Sequence, residues 1–179
     1  MPFLPEHLER FIREGTAWVS ASQTSLGRLG KPLISPIQAF FAPFFPADAL
    51  SRIRVVLVPH IENPPFYSVL SAQGIAVPLD FREMAGITFI DTILVSQSRA
   101  DLSEAGSLSL LFHEAVHVVQ YQHLGLERFM HEYVIGWAQS GFSYPDIPLE
   151  RQAYALQDRF RASPSTGFSV LAEVQLAFP

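Results

Sequence analysis

The chain contains no cysteine. That excludes a disulfide framework and any thiolate site, so a bound metal would have to take its ligands from His, Asp and Glu. No stretch approaches the roughly 18 consecutive apolar residues of a membrane-spanning helix. The N-terminus lacks a basic start followed by an apolar run, so no signal peptide is predicted and the default address is cytoplasmic, with a leaderless export route still open. Basic runs are also missing, and the formal net charge of −5 argues against a nucleic-acid partner. Neither an internal repeat nor a low-complexity tract is present. Charged residues make up only 16% of the 179 residues and hydrophobic ones 49%, the composition of a globular chain with a sizeable core.

The informative stretch runs from Ser107 to Gly125 and contains His113-Glu114-Ala115-Val116-His117. On a helix, residues four apart lie one turn up the same face, so His113 and His117 can present their imidazoles to one metal ion. Glu114 sits about 100° round from His113, beside the ion rather than on it. That is where a carboxylate can take a proton from a water activated by the metal. Leu108, Leu110, Leu111, Phe112, Ala115, Val116, Val118 and Val119 surround the motif, so this helix reads as a core element. Two His and a Glu buried there are costly without partners, and a cation is the simplest partner.

Around this helix the pattern predicts an α+β chain. Leu4 to Glu14 forms a short amphipathic helix, with Leu4, Leu8, Phe11 and Ile12 on one side. Residues 15–35, rich in Ser and Gly, read as loop with at most a turn of helix over 17–22. The segment 35–46 is unusually aromatic. Pro36 suits a first helical turn, while Pro43 and Pro46 end it. It is expected to lie over the core; the alternatives are a lipid or partner contact, or a plug over the active cleft. Strands are predicted over 52–59, 74–79 and 86–96, with turns over 60–73. Asp101 or Ser103 caps the central helix, which stops at Gly125. Further helices cover 126–139 and 149–161, and the last residues form a short helix or strand. Residues 1–50 form a helical and aromatic extension on a domain of residues 51–179.

A catalytic zinc usually takes three protein ligands. His123 has the spacing of a third His, but Gln120 stands where a sharp turn needs Gly, and a continuing helix carries His123 away from His117. His60, isolated after a strand, reads as a surface group. Glu150, at the start of the helix over 149–161, is the better third ligand, because a helix packed on the central one can deliver it. Ala153, three residues on, is small enough to allow the close approach. The alternative reading is that Glu150 only favours the positive end of its own helix.

The run His113-Glu114-Ala-Val-His117-Val-Val-Gln120, preceded by Ile-Leu-Val-Ser and followed by Leu149-Glu150-Arg-Gln-Ala153-Tyr154, resembles the small bacterial gluzincin-like domains. These HExxHxxQ zincins occur alone or in toxin and contractile-injection contexts. The resemblance covers about residues 87 to 160. It implies a zincin-like fold, with a small mostly antiparallel or mixed sheet packed on a central HExxH helix, and a zinc-dependent peptidase. It implies one Zn2+ per chain on His113, His117 and Glu150, with Glu114 as base and a peptide or protein as substrate. Residues 87–95 would then pair with an extended peptide, the alternative being an ordinary sheet strand.

Tyr154 and Tyr133, ahead of His131 and Tyr144, are candidate donors to an oxyanion, each with packing or surface placement as its other reading. Asp158 and Asp91 are candidates to orient a ligand His. Two further functions stay open: a non-catalytic zincin module with a structural metal, and an autoinhibited protease-type toxin whose N-terminal aromatic segment fills the cleft. Nitrogen ligands with a carboxylate in a tetrahedral site suit zinc, with iron, manganese and cobalt as the open alternatives.

Overall fold

The computed structural model describes residues 5–179; Leu4, assigned above to the first helix, lies outside them. Among the described residues seven helices surround a small four-stranded mixed sheet, the α+β architecture expected. The helices are α1 (Pro5–Leu26), α2 (Ser35–Phe41), α3 (Ala47–Arg52), α4 (Phe66–Ala72), α5 (Glu104–Gln139), α6 (Pro148–Ala162) and α7 (Val170–Ala177). The strands are β1 (Lys31–Pro32), β2 (Arg54–Val58), β3 (Gly86–Phe89) and β4 (Thr92–Ser96), in the spatial order β1-β2-β4-β3. β2 runs parallel to β4, pairing Arg54 with Thr92 through Val58 with Ser96. β1 and β3 are antiparallel to their neighbours, and β3 forms one edge.

β4 is buried along its whole length, because both faces of the sheet are covered. Its alternating side chains feed two apolar clusters, Ile93 and Val95 into one and Leu94 into the other. The first cluster holds Phe41, Phe44 and Phe45 of the aromatic segment against Phe112, Phe160 and Phe168. That segment therefore lies over the core, with Pro36 in the first turn of α2, and is not a plug in a cleft.

α5 is two arms, interrupted at Gly125. Gly125 has φ +74°, a left-handed conformation in which a side chain is strained, and it ends the first arm as predicted. Ser103 is the cap: its Oγ accepts from Gly106 N, while Asp101 accepts from Ser103 N. The second arm turns back to carry Phe129, Met130, Val134 and Trp137 into the second cluster.

Several expectations need correction. The first helix does not stop near Glu14 but runs to Leu26, because Val19 is buried and Trp18 packs edge-on to Phe89 at 4.8 Å; tertiary packing overrides the poor helix propensity of the Ser-rich stretch. Residues 47–52 are helix α3, and the strand after them begins only at Arg54. Within 60–73 the chain forms α4, and 74–79 is irregular rather than a strand, with Ile75 and Leu79 buried as single anchors. The predicted strand over 86–96 is a hairpin, β3 and β4, whose turn places Ile90 at φ +63°. That turn is why the alternation of side chains loses phase there.

Candidate metal centre

The first arm of α5 places His113 and His117 one turn apart, both buried at 4% and 5% exposure. Pro148 and Leu149 start α6 so that Glu150, in its first turn and 3% exposed, meets them. Ala153 is fully buried in the cluster shared by α5 and α6. Three donor atoms converge. His113 Nε2 is 3.2 Å from Glu150 Oε2 and 3.2 Å from His117 Nε2, and His117 Nε2 is 3.3 Å from Glu150 Oε2. A tetrahedral zinc with bonds of about 2.0–2.1 Å holds its ligand atoms about 3.3 Å apart. The triangle has that edge length.

The proton inventory also fits a cation. Gln120 is fully buried; its Nε2 donates to Leu149 O at 3.0 Å and Gln152 Oε1 at 2.9 Å, which fixes its amide. Its Oε1 therefore faces His117 Nδ1 at 2.8 Å and accepts from it. In neutral His117 the Nε2 lone pair is then turned toward the carboxylate and the other imidazole. Two acceptors, His117 Nε2 and Glu150 Oε2, then face one point and need a positive charge between them, while His113 Nδ1 has no hydrogen-bond partner. Without a metal, a proton meets that need. Burial disfavours charge on His117, but Glu150, with help from Glu114 and Gln120, raises its pKa to about 9. Burial pushes Glu150 up, and His117 and His113 reverse this and hold it well below the usual carboxylate range. His113, His117 and Glu150 could thus hold a metal ion.

No protein-family model, curated protein or solved structure matches this chain. The residues themselves must carry the functional argument.

Glu114, 4% exposed, hangs beside the triad without joining it. Thr88 Oγ1 of β3 donates to its Oε2 at 2.7 Å and lies 3.1 Å from its backbone oxygen. A Cβ at Gly86 would fall 2.5 Å from Glu114 Oε1, so only glycine leaves room for this carboxylate beside β3. Burial raises the pKa of Glu114, opposed in part by His113, His117 and the bond from Thr88.

The tyrosines divide. Tyr133, from the second arm of α5, donates to Glu150 Oε1 at 2.8 Å, so it holds the carboxylate oxygen turned away from the histidines. Burial first, then the charge of Glu150, keeps its phenol protonated. Tyr154 lays its ring 4.4 Å from that of His113 and is 39% exposed. Tyr144 stands close to both Glu150 and Tyr154.

Other candidates lie elsewhere. His123 Nε2 is 2.7 Å from Phe178 O, consistent with a helix that continues past Gln120. His60 pairs with Glu62 at the surface, and His131 is exposed. Asp91 accepts from Gln23, and Asp158 faces Arg161, so neither orients a ligand histidine. Gln120 has that role toward His117. Its position three residues after His117, on the same helix face, is the signal that points to it. Thr88 and Gly86 come from a strand distant in sequence, and no local pattern marks them.

Proposed function

We propose that the chain is a zinc-dependent metallopeptidase of the HExxH…E type. The observation that carries this reading is the buried triangle of His113 Nε2, His117 Nε2 and Glu150 Oε2, with the carboxylate of Glu114 held beside it by Thr88. The resemblance of the two short motifs to small gluzincin-like domains supports the same reading.

Zinc bound by the three ligands would supply a Lewis acid that acidifies a water and polarises a carbonyl. The protein supplies the rest. Glu114 takes the proton of the attacking water on its carboxylate and returns it to the leaving amine nitrogen. Its raised pKa makes it a better proton carrier near neutrality than an exposed glutamate. Thr88 keeps the carboxylate from rotating onto the metal ligands. Gln120 keeps the proton of His117 on Nδ1, and Tyr133 fixes Glu150. Tyr154, half open and against His113, is the side chain best placed to donate to a substrate oxygen. The substrate class that follows is a peptide or protein.

The test is Glu114→Gln. Zinc is retained at one per chain, and cleavage of an unstructured protein such as casein falls at least a hundredfold. Unchanged cleavage by this variant would remove Glu114 from the mechanism.

A second reading, a metal site that serves structure only, draws on the deep burial of all three ligands. It requires that removing zinc unfold the chain and that no peptide be cut.

A further inference from the structure

The metal centre opens toward β3 into an apolar hollow. Glu114, His117 and Glu150 are its titratable acid and base groups, apart from tyrosine hydroxyls, and Phe81, Phe89, Phe129 and Trp137 are among its walls. One wall differs in kind. Phe11, Gly15, Trp18 and Val19 come from α1, which lies across the hollow and packs against β3 and the second arm of α5. With α1 seated, about 60 Å³ is free. That holds a few waters, and it falls well short of the ~150 Å³ that accommodates a benzene ring. A peptide side chain cannot reach Glu114 from this side while α1 stays in place.

Three features set α1 apart from a permanent wall. First, its polar ties include the exposed bond from Arg10 to Gln73 and the half-buried one from Gln23 to Asp91, each 3.0 Å. Second, Thr16 Oγ1 is buried in its seat with no hydrogen-bond partner, which costs stability only while α1 is down. Third, the chain is pinned to the sheet just after α1, where Lys31 and Pro32 pair with Val55 and Arg54. Residues 27–30 join helix to pin, so α1 can lift without disturbing the sheet.

We propose that α1 is a cover seated in the substrate groove, and that a peptide segment carrying large apolar side chains displaces it. The chemistry of the occupant follows from what it replaces: an apolar face of Phe11, Trp18 and Val19, set in a groove whose described lining has no lysine, arginine or aspartate. The proposal rests on the metallopeptidase reading for its substrate, and its test separates the two.

The chain's lack of cysteine allows α1 to be locked. In zinc-loaded R10C/Q73C, both positions are at the surface, and a short bismaleimide joins them. The probe is a hydroxamate-capped dipeptide with Phe and Trp side chains. It should bind the cross-linked protein at least tenfold more weakly than the same variant before cross-linking. On the wild-type chain, its binding should strip hydrogen-exchange protection from the amides of α1. Equal affinity before and after cross-linking, or unchanged protection of α1, overturns the cover. Acetohydroxamate, which needs only the metal, is the companion probe on the zinc-loaded wild-type chain. If it binds while the dipeptide probe ignores the cross-link, the cover alone falls. If it fails to bind, the metallopeptidase reading falls, and the cover with it.

Discussion

The two apolar clusters on either side of the first arm of α5 are built from the same kinds of residue and finished differently. On one side Phe112 stacks on Phe160 at 4.2 Å with an interplanar angle of 10°, and Phe41, Phe44, Phe45 and Phe168 close around the pair. On the other side the helix turns His113, Glu114, His117 and Gln120 toward a cluster that leaves a hollow and carries a buried, unpartnered Thr16 hydroxyl. The first side is packed for stability. The second leaves room beside the Glu114 carboxylate. Adjacent residues, Phe112 and His113, sit on opposite sides of that division.

Substitutions on the two sides should therefore fail in different ways. Glu114→Gln has the largest effect on chemistry: peptide hydrolysis falls about 10²- to 10⁴-fold, as measured by kcat/KM, with thermal stability and zinc content unchanged. Phe112→Ala, two residues away, leaves a cavity in the closed cluster and costs about 3–5 kcal/mol by urea unfolding. If Phe112→Ala instead spared stability and abolished hydrolysis, the division between the sides would be wrong. Gln120→Met keeps the volume of a buried side chain but removes the hold on His117. It should weaken zinc binding about 10- to 100-fold in a competition assay, with the apo fold retained.

The smallest effect is on pH dependence in the metal-free chain. His117 has a folded-state pKa raised to about 9, above its ordinary value of 6.5. The stability this contributes is fully present below about pH 6.5 and is lost as pH rises through about 9. The melting temperature of the metal-free chain should drop over that interval. Zinc replaces the proton on His117, so the loaded chain should show no such drop, and loading at pH 7 should release close to one proton.

Both sides were partly legible in the sequence, for different reasons. His113, Glu114 and His117 are readable because one helix turn sets their geometry, and Glu150 because a helix start three residues before a small Ala153 can dock on another helix. Gly125 and the proline boundaries of α2 are equally local. What escaped depends on contacts between distant segments. Nothing in Ser20, Ser22, Thr24 and Ser25 marks a helix; α1 persists because Phe11, Trp18 and Val19 have a groove to fill. The turn between β3 and β4 is formed by Ile90 and Asp91, without the Gly or Asn that usually signals a hairpin, so one strand was expected where there are two. Gly86 matters only because the Glu114 carboxylate stands over it.

The central claim is that Glu150 completes a metal site with His113 and His117, and metal content tests it most directly. Wild-type protein loaded with zinc and dialysed should retain about one zinc per chain by mass spectrometry, and Glu150→Ala should lose it under the same dialysis while keeping its helical circular dichroism. A wild-type chain that emerges without zinc, or a Glu150→Ala chain that holds it as tightly as wild type, would contradict the account.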